Sequence, residues 1–169
     1  MLFSAYTQII KDNRLFMEDL VAYIYPGCIL EFPTAHINTK TLNFDSMVTS
    51  ASGQTVAIIN SSVRESSCRR FTSAIMDESK ADALLRLAHI APVMVAGWYK
   101  YDGTLDLYSI DVDGALNKTA IRTEKHTPVS YVNREKVRRR LIEIPFSSCW
   151  MFTYQQRRVK LQQHTHTHS

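Results

Sequence analysis

An acidic residue and an amide residue fifteen positions apart have types and spacing suited to chemistry on a phosphate group. Asp45 lies in a short apolar run, and Asn60 follows the β-branched run at 56–59. Ser52 and Gly53 favour a turn between them, so the two residues would lie on neighbouring strands. A carboxylate can bind Mg²⁺, which neutralises phosphate oxygens and delivers a hydroxide to the phosphorus. We therefore predict that the side chains of Asp45 and Asn60 line the same cleft.

A second acidic ligand is expected from elsewhere in the chain. Mg²⁺ is commonly held by one or two carboxylates together with water and substrate oxygens, and Asp45 is the single carboxylate of this arrangement. Glu31, on the first predicted strand, and Glu18, on the first predicted helix, are the candidates. We predict Asp45, Asn60 and Glu31 as catalytic residues. The predicted metal ligands are Asp45, Glu31 and Glu18.

Basic residues follow the proposed site closely. Arg64, Arg69 and Arg70 come soon after Asn60 and would hold a phosphate by charge-assisted hydrogen bonds. The alternative is that they pair with Glu65 on the surface.

A second basic group lies in the segment NREKVRRRLI, where a short helix is predicted over 133–141. Val137 and Leu141 are four residues apart and would both face the core. The basic side chains would then lie outside, either along a phosphate backbone or as a solvated face. We favour phosphate contact, without base recognition. The residues of this helix predicted to bind nucleic acid are Arg134, Arg138, Arg139 and Arg140.

Charge is unevenly distributed along the 169 residues. The formal net charge is +4, but residues 1–121 contain 10 Lys/Arg against 13 Asp/Glu, a balance of −3. Residues 122–169 contain 10 against 3, a balance of +7. Basic charge gathered toward one end is typical of a polyanion binder, although it also serves solubility. Nucleic acid is the expected partner, duplex DNA ahead of RNA.

Several function classes are excluded. No apolar run approaches the roughly 20 residues that span a bilayer, and the N-terminus lacks the blocks of a signal peptide. No membrane partner and a cytoplasmic location are therefore expected. Cys28, Cys68 and Cys149 show no metal-binding spacing and are expected to be free thiols. The absence of a G-x-S-x-G motif argues against a serine hydrolase.

Apolar periodicity and turn residues divide the chain into a few elements. The helix over 79–91 would begin with a capping box formed by Ser79 and Asp82, and a hairpin over 93–112 would have Asp102-Gly103 as a tight two-residue turn. The strand over 54–61 would be buried on both faces. Other predicted elements are a helix over 4–25 and strands over 28–32, 42–49 and 148–154.

This order predicts a single α/β (α+β) domain. Its expected core is a central mixed sheet that includes the antiparallel hairpin and is flanked by helices. The domain would cover residues 1–161, followed by a disordered His-containing tail at 162–169.

The layout of Asp45, a turn and the strand VAIINSS resembles the PD-(D/E)xK nuclease superfamily, which includes restriction enzymes and Holliday-junction resolvases. In that superfamily a helix precedes a curved sheet, an Asp lies on one strand, and an acid-x-Lys triplet lies on the next. The acids bind magnesium, and the lysine helps position the water. Here the triplet falls on Ile58-Ile59-Asn60, so two of its groups are replaced, and the resemblance implies that Asn60, at the lysine position, would orient the attacking water. The resemblance implies a restriction-endonuclease-like fold with an altered or lost catalytic site.

Two functions from different classes follow. The first is a DNA-binding protein of nuclease-like fold, either a Mg²⁺-dependent endonuclease (a hydrolase) with an altered site or a relative that has lost catalysis. A homodimer would suit action on both strands. The second is a small non-enzymatic interaction protein, of viral or mobile-element type, that binds a host protein. DNA binding that weakens steeply with salt separates the first from the second.

Overall fold

The structure, a computed structural model, describes residues 2–32, 46–110, 121–128 and 136–162. These residues form one α+β domain, as predicted, with short 3₁₀ helices at Cys68–Arg70 and Phe146–Ser148. The helices are α1 (Leu2–Ile24) and α2 (Glu78–Leu87). The strands are β1 (Ile29–Glu31), β2 (Ser46–Thr49), β3 (Thr55–Arg64), β4 (Ser73–Asp77), β5 (Val93–Tyr99), β6 (Thr104–Ile110), β7 (Ile121–Pro128), β8 (Lys136–Pro145), β9 (Trp150–Gln155) and β10 (Arg158–Leu161).

Seven strands form the larger sheet, in the order β1-β2-β3-β5-β6-β9-β10. β3 and β5 are parallel, with Ile58 opposite Val93 and Arg64 opposite Tyr99. The other neighbours in this sheet are antiparallel. A parallel pair needs a crossover connection, so the chain leaves the sheet after β3 and returns at β5. That connection contains β4 and α2.

α1 covers one face of the larger sheet. Its buried residues Phe16, Met17, Leu20 and Val21 form one apolar stripe. The strand residues that pack in the same cluster are Val48, Ala57, Ile59, Met94, Ala96, Leu105, Leu107, Phe152 and Tyr154. The helix predicted over 4–25 is confirmed.

Polar contacts also fix α1 to the hairpin of β9 and β10. The carboxylate of Asp19 accepts hydrogen bonds from the Tyr154 hydroxyl at 2.5 Å and from Arg157 Nη2 at 3.1 Å. In the turn of this hairpin, Gln156 and Arg157 have φ values of 51° and 60°. Positive φ at both central residues is the geometry of a two-residue type I′ turn. The turn thereby places Arg157 beside α1.

The opposite face is covered by α2 and by a three-stranded antiparallel sheet of order β4-β8-β7. Ala81 and Leu84 of α2 share a second buried cluster with Ile142 and Ile144 of β8. β3 therefore lies between two layers. Its residues 57–61 are all buried, which confirms the prediction of a strand covered on both faces.

The prediction of a basic helix over 133–141 is wrong, because residues 136–145 form strand β8. This strand pairs with β4 on one side and with β7 on the other. The helix prediction rested on a single four-residue apolar spacing and overlooked the two-residue spacing of Ile142 and Ile144. Both isoleucines are fully buried. Pairing with two strands and burial of β-branched residues outweigh the helix propensity of the arginines.

The start of the second helix also differs from the prediction. α2 begins at Glu78, so Asp77 rather than Ser79 occupies the N-cap position, and Asp77 makes no side-chain capping hydrogen bond. The capping box of Ser79 and Asp82 is therefore wrong. β4 runs directly into α2, and this junction determines where the helix begins.

The hairpin of β5 and β6 is confirmed, but its turn has four residues rather than two. Tyr99 is opposite Thr104, which leaves residues 100–103 in the turn. Gly103 has a φ of 64° and donates its N–H to the Tyr99 carbonyl at 3.0 Å. Asp102 accepts a hydrogen bond from the Ser67 hydroxyl at 2.8 Å. The Asp102 side chain thus contacts the loop that contains Ser67, and the turn has two residues more than predicted.

In the part of the chain that the structure describes, neither helix is long and apolar enough to cross a membrane. The three cysteines are free thiols, as predicted. Burial raises the pKa of the Cys68 and Cys149 thiols to about 12, so both are unreactive near neutral pH.

Replacing Ile142 tests the assignment of β8 to the core. We expect Ile142→Ala to lower the free energy of unfolding by about 2–5 kcal/mol, because buried methyl groups are lost and a cavity remains. Ile90→Ala is the matched control, since Ile90 is 79% exposed and should change stability by less than about 0.5 kcal/mol. Urea unfolding followed by tryptophan fluorescence measures both. Equal effects would contradict the packing of β8.

Candidate functional site

A cleft of about 320 Å³ lies between the two sheets. One wall is the face of β3, β5 and β6 that is turned away from α1, and the other wall is formed by β4 and β8. Apolar strand residues alternate with a small set of polar groups, a composition typical of ligand sites. The charged residues that line the cleft are Arg64, Asp77, Lys80, Asp106 and Arg139.

Strand β3 contributes three polar side chains to the cleft. Asn60, Ser62 and Arg64 are two residues apart from one another, so all three lie on the same face of the strand. Ile59 and Val63 lie on the other face and pack in the cluster of α1. A row of polar residues on a central, doubly covered strand is unusual in a sheet interior. It indicates a site rather than a packing layer.

Arg64 joins the two walls of the cleft. Its Nη2 donates to the Ile75 carbonyl oxygen of β4 at 3.1 Å, and its guanidinium carbon lies 5.7 Å from the centre of the Tyr99 ring. Its Nε is buried and has no hydrogen-bond partner among the described residues. A buried donor left unsatisfied costs about 1–3 kcal/mol. An acceptor on a bound ligand would remove this cost.

Asp106 lies deep in the cleft and is 2% exposed. Its Oδ2 accepts a hydrogen bond from the Tyr99 hydroxyl at 3.0 Å. Burial raises the pKa of this carboxyl to about 6, while the Tyr99 hydrogen bond, the Arg64 charge and the Gly97 backbone offset only part of the increase. A carboxyl group that titrates near neutral pH inside a cleft is characteristic of functional sites.

Gly97 provides the space that the Asp106 carboxyl occupies. The two residues are opposite each other on β5 and β6. A Cβ atom on residue 97 would lie 2.9 Å from Asp106 Oδ1, which is too close for an unshifted side chain. Any side chain at position 97 would therefore force the Asp106 carboxyl to shift.

An ion pair forms part of the rim of the cleft. Arg139 donates from Nε to Asp77 Oδ1 at 3.0 Å and from Nη2 to Oδ2 at 2.6 Å, a bidentate arrangement. Because Asp77 is the N-cap residue of α2, the pair connects β8 to the start of this helix. Lys80, in the first turn of α2, is exposed and adds a positive charge at the rim.

These groups define what the cleft can bind. Arg139 is engaged by Asp77, so Arg64 and Lys80 supply the positive charge available to an anion. Asp106 supplies a hydrogen-bond acceptor, and near its pKa it can also exchange a proton with a bound group. The arrangement suits a ligand that carries both an anionic group and a hydrogen-bond donor.

The structure brings together three of the residues predicted for the site. Asn60, Arg64 and Arg139 all line the cleft. Asp45 and Arg134 lie outside the described residues.

The remaining predicted residues lie away from the cleft. Glu31 is exposed on the edge strand β1, two strands from β3. Glu18 is exposed on α1, which packs on the opposite face of the sheet. The arginines that are exposed and do not line the cleft are Arg69 and Arg70 of the first 3₁₀ helix and Arg138 and Arg140 of β8.

Among the described residues, no group of three or more His, Cys, Asp or Glu residues could hold a metal ion. Of the carboxylates that line the cleft, Asp77 is bound by Arg139 and Asp106 accepts from Tyr99. Asp45, the first predicted metal ligand, lies outside the described residues.

Sequence reasoning did not identify Asp106, although the sequence contains a signal for it. In the segment LDLY, Leu105 and Leu107 alternate with Asp106 and Tyr108. Aspartate is depleted in strands, so a lone aspartate inside an apolar strand of a predicted hairpin is informative. The sequence contains no comparable signal for Lys80, because its place at the cleft depends on how α2 crosses the sheet.

No family model, curated protein or solved structure matches the chain. Its function is therefore inferred from the cleft itself.

The stability of the protein should depend on pH through Asp106. Its folded-state pKa of about 6 lies above the unfolded value of 3.8, so the wild type loses stability as the pH rises through this interval. Asparagine keeps an acceptor for Tyr99 but carries no charge. We expect Asp106→Asn to raise the free energy of unfolding at pH 8 by about 1–3 kcal/mol and to change it little at pH 4.

Urea unfolding at pH 4, 6 and 8 measures this effect. Glu18→Gln is the matched control, because it removes an exposed carboxylate and should change stability by less than about 0.5 kcal/mol at each pH. Destabilisation by Asp106→Asn at pH 8 would show that the ionised carboxylate is favourably paired, contrary to the description above.

Proposed function

We propose that this chain is a DNA-binding protein of nuclease-like fold and that the cleft between its sheets receives a phosphate of the DNA. The observation that carries the proposal is Arg64, whose guanidinium is held between both walls with a buried Nε that has no partner among the described residues. Guanidinium groups match phosphate oxygens in both charge and geometry. A phosphodiester at this point would satisfy Nε, and Lys80 at the rim would add to the attraction.

The strand layout supports a restriction-endonuclease-like architecture as the finer form of the fold. A helix precedes the sheet, and β2 and β3 are adjacent antiparallel strands with Ser46 opposite Ile59. Asn60, at the lysine position of the superfamily's triplet, lines the cleft together with Arg64. Asn60 of the motif thus lies next to the other polar groups of the cleft.

Basic residues beyond the cleft support contact with a longer polyanion. Arg138 and Arg140 are exposed on β8, on either side of the rim residue Arg139. Exposed arginines of this kind contact phosphates without reading sequence. The free thiols accord with a reducing, cytoplasmic location for this function.

Substitution of Arg64 tests the proposal. We expect Arg64→Gln to weaken binding to a fluorescein-labelled 20-base-pair duplex about tenfold or more, and to reduce the slope of log affinity against log salt by about 0.9, because one phosphate contact is lost. Fluorescence anisotropy over a salt series measures both quantities. Arg86→Gln, at an exposed position in the last turn of α2, is the matched control and should leave both nearly unchanged.

If the wild type binds no DNA at low salt, the proposal fails. In that case the non-enzymatic protein that binds a host protein becomes the better interpretation. Equal losses in both variants would place the DNA elsewhere on the surface.

The catalytic form of the proposal is a Mg²⁺-dependent endonuclease in which Asp45 binds the metal and Asn60 orients the water. We expect Asp45→Asn to abolish Mg²⁺-dependent nicking of supercoiled plasmid while DNA affinity stays within about twofold, because one carboxylate is lost and the phosphate contacts remain. Glu65→Gln is the control for loss of an acidic side chain. Equal nicking by wild type and Asp45→Asn would exclude this role, and an inactive wild type would assign the chain to relatives without catalysis.

A further inference from the structure

We propose that the cleft accepts one nucleotide, from a single strand or extruded from a duplex, with its phosphate at Arg64 and a hydrogen-bond donor of its base or sugar at Asp106. This inference rests on the proposed function and names the part of the nucleic acid that enters the cleft. It is carried by the size of the cleft, the order of polar groups along it, and the burial of Asp106.

The size of the cleft admits a nucleotide and excludes a duplex. Its volume is about 320 Å³, and it is bounded by two sheets. A double helix cannot enter such a space. A single nucleotide can, and proteins that act on individual bases extrude them into enclosed pockets in this way.

The polar groups of the cleft follow an order along β3. Arg64 and Asn60 are four residues apart on this strand, so their Cα atoms are separated by about 13 Å. That distance is comparable to the length of one nucleotide. Ser62 lies between them, opposite Gly97, and Gly97 is opposite Asp106. The carboxyl group therefore lies part-way along a path that begins at the guanidinium.

Charge fixes the direction in which a nucleotide would lie. A phosphate beside Asp106 would face a buried carboxylate and be repelled, whereas at Arg64 it would meet the unsatisfied Nε and the nearby charge of Lys80. The Asp106 carboxyl instead accepts hydrogen bonds. The exocyclic amines of cytosine, adenine and guanine are donors, and so are sugar hydroxyls, whereas thymine has no exocyclic amine and its base offers only the ring N3–H as a donor.

Gly97 supports this role of the carboxyl group. A side chain at position 97 would displace Asp106 Oδ1, from which its Cβ would be 2.9 Å distant. Gly97 itself lines the cleft. The absence of a side chain at position 97 therefore allows the Asp106 carboxyl to lie where it does, beside the cleft.

Isothermal titration calorimetry of the wild-type chain at low salt tests the inference. The probes are deoxycytidine 5′-monophosphate, thymidine 5′-monophosphate, 2-deoxyribose 5-phosphate, deoxycytidine and inorganic phosphate. We expect deoxycytidine 5′-monophosphate to bind about tenfold or more tightly than either deoxycytidine or inorganic phosphate, because it alone engages both ends of the path. Weaker binding of the thymidine nucleotide would identify the base amine as the donor. Equal binding of 2-deoxyribose 5-phosphate would identify the sugar hydroxyl.

Two variants separate the roles of the two ends. Arg64→Gln should weaken every phosphate-bearing probe by a similar factor, about tenfold. Asp106→Ala should reduce the affinity for deoxycytidine 5′-monophosphate to that for inorganic phosphate. Arg86→Gln is the control for both. If Asp106→Ala does not fold, amide chemical shifts of the wild type serve instead: those of Ser62 and Gly97 should move on nucleotide addition, while that of Gly53, in the turn before β3, should not.

The outcomes distinguish this inference from the proposed function. DNA binding without measurable binding of any mononucleotide at millimolar concentration would overturn the inference and leave DNA binding intact. Failure of both would overturn both. Binding of inorganic phosphate as tight as that of the nucleotides would reduce the cleft to a simple anion site. Binding of deoxycytidine as tight as that of its phosphate would overturn the proposed orientation.

Discussion

The parallel pairing of β3 with β5 is the constraint on which the rest of the structure depends. Parallel neighbours cannot be joined by a tight turn, so the chain crosses one face of the sheet through β4 and α2. β4 then pairs with β8, which pairs with β7 to complete the second sheet. The space that remains between the crossover and the face of β3 is the cleft. The strand topology therefore creates the cleft, because the crossover connection forms one of its walls.

Two groups in that space lower the stability of the protein. The buried Nε of Arg64 has no acceptor among the described residues, and the Asp106 carboxyl is buried enough for its pKa to rise to about 6. Apolar residues of similar size would pack there with less cost in desolvation. In addition, position 97 has no side chain that could pack in the core, and the Asp106 carboxyl occupies that space. Polar groups kept at the centre of a sheet against their effect on stability are a mark of function.

Patterns of neighbouring residues in the sequence correctly predicted those elements whose conformation depends mainly on neighbouring residues. The apolar stripe of α1, the β-branched run of β3 and the Asp-Gly turn of the β5–β6 hairpin were sufficient to predict these elements. β8 was missed because its local pattern is ambiguous between a four-residue and a two-residue apolar spacing, and its strand conformation is stabilised by pairing with β4, more than fifty residues earlier. Among the site residues, Asn60 and Arg64 could be predicted from the sequence because both lie on one strand near a recognisable motif. Asp106 and Lys80 reach the cleft from separate segments, and only the crossover and the strand register bring them there.

The contacts of Asp19 have a consequence for how the protein is made. They join residues 135 and 138 positions apart in the chain, and the apolar stripe of α1 also packs against Phe152 and Tyr154 of β9. This helix is synthesised before β9 and β10, and its buried face has no complete partner until those strands have left the ribosome. Closing a loop of that length is slow. The nascent chain therefore carries an incompletely covered amphipathic helix until β9 and β10 emerge, and chaperones have that interval in which to bind it.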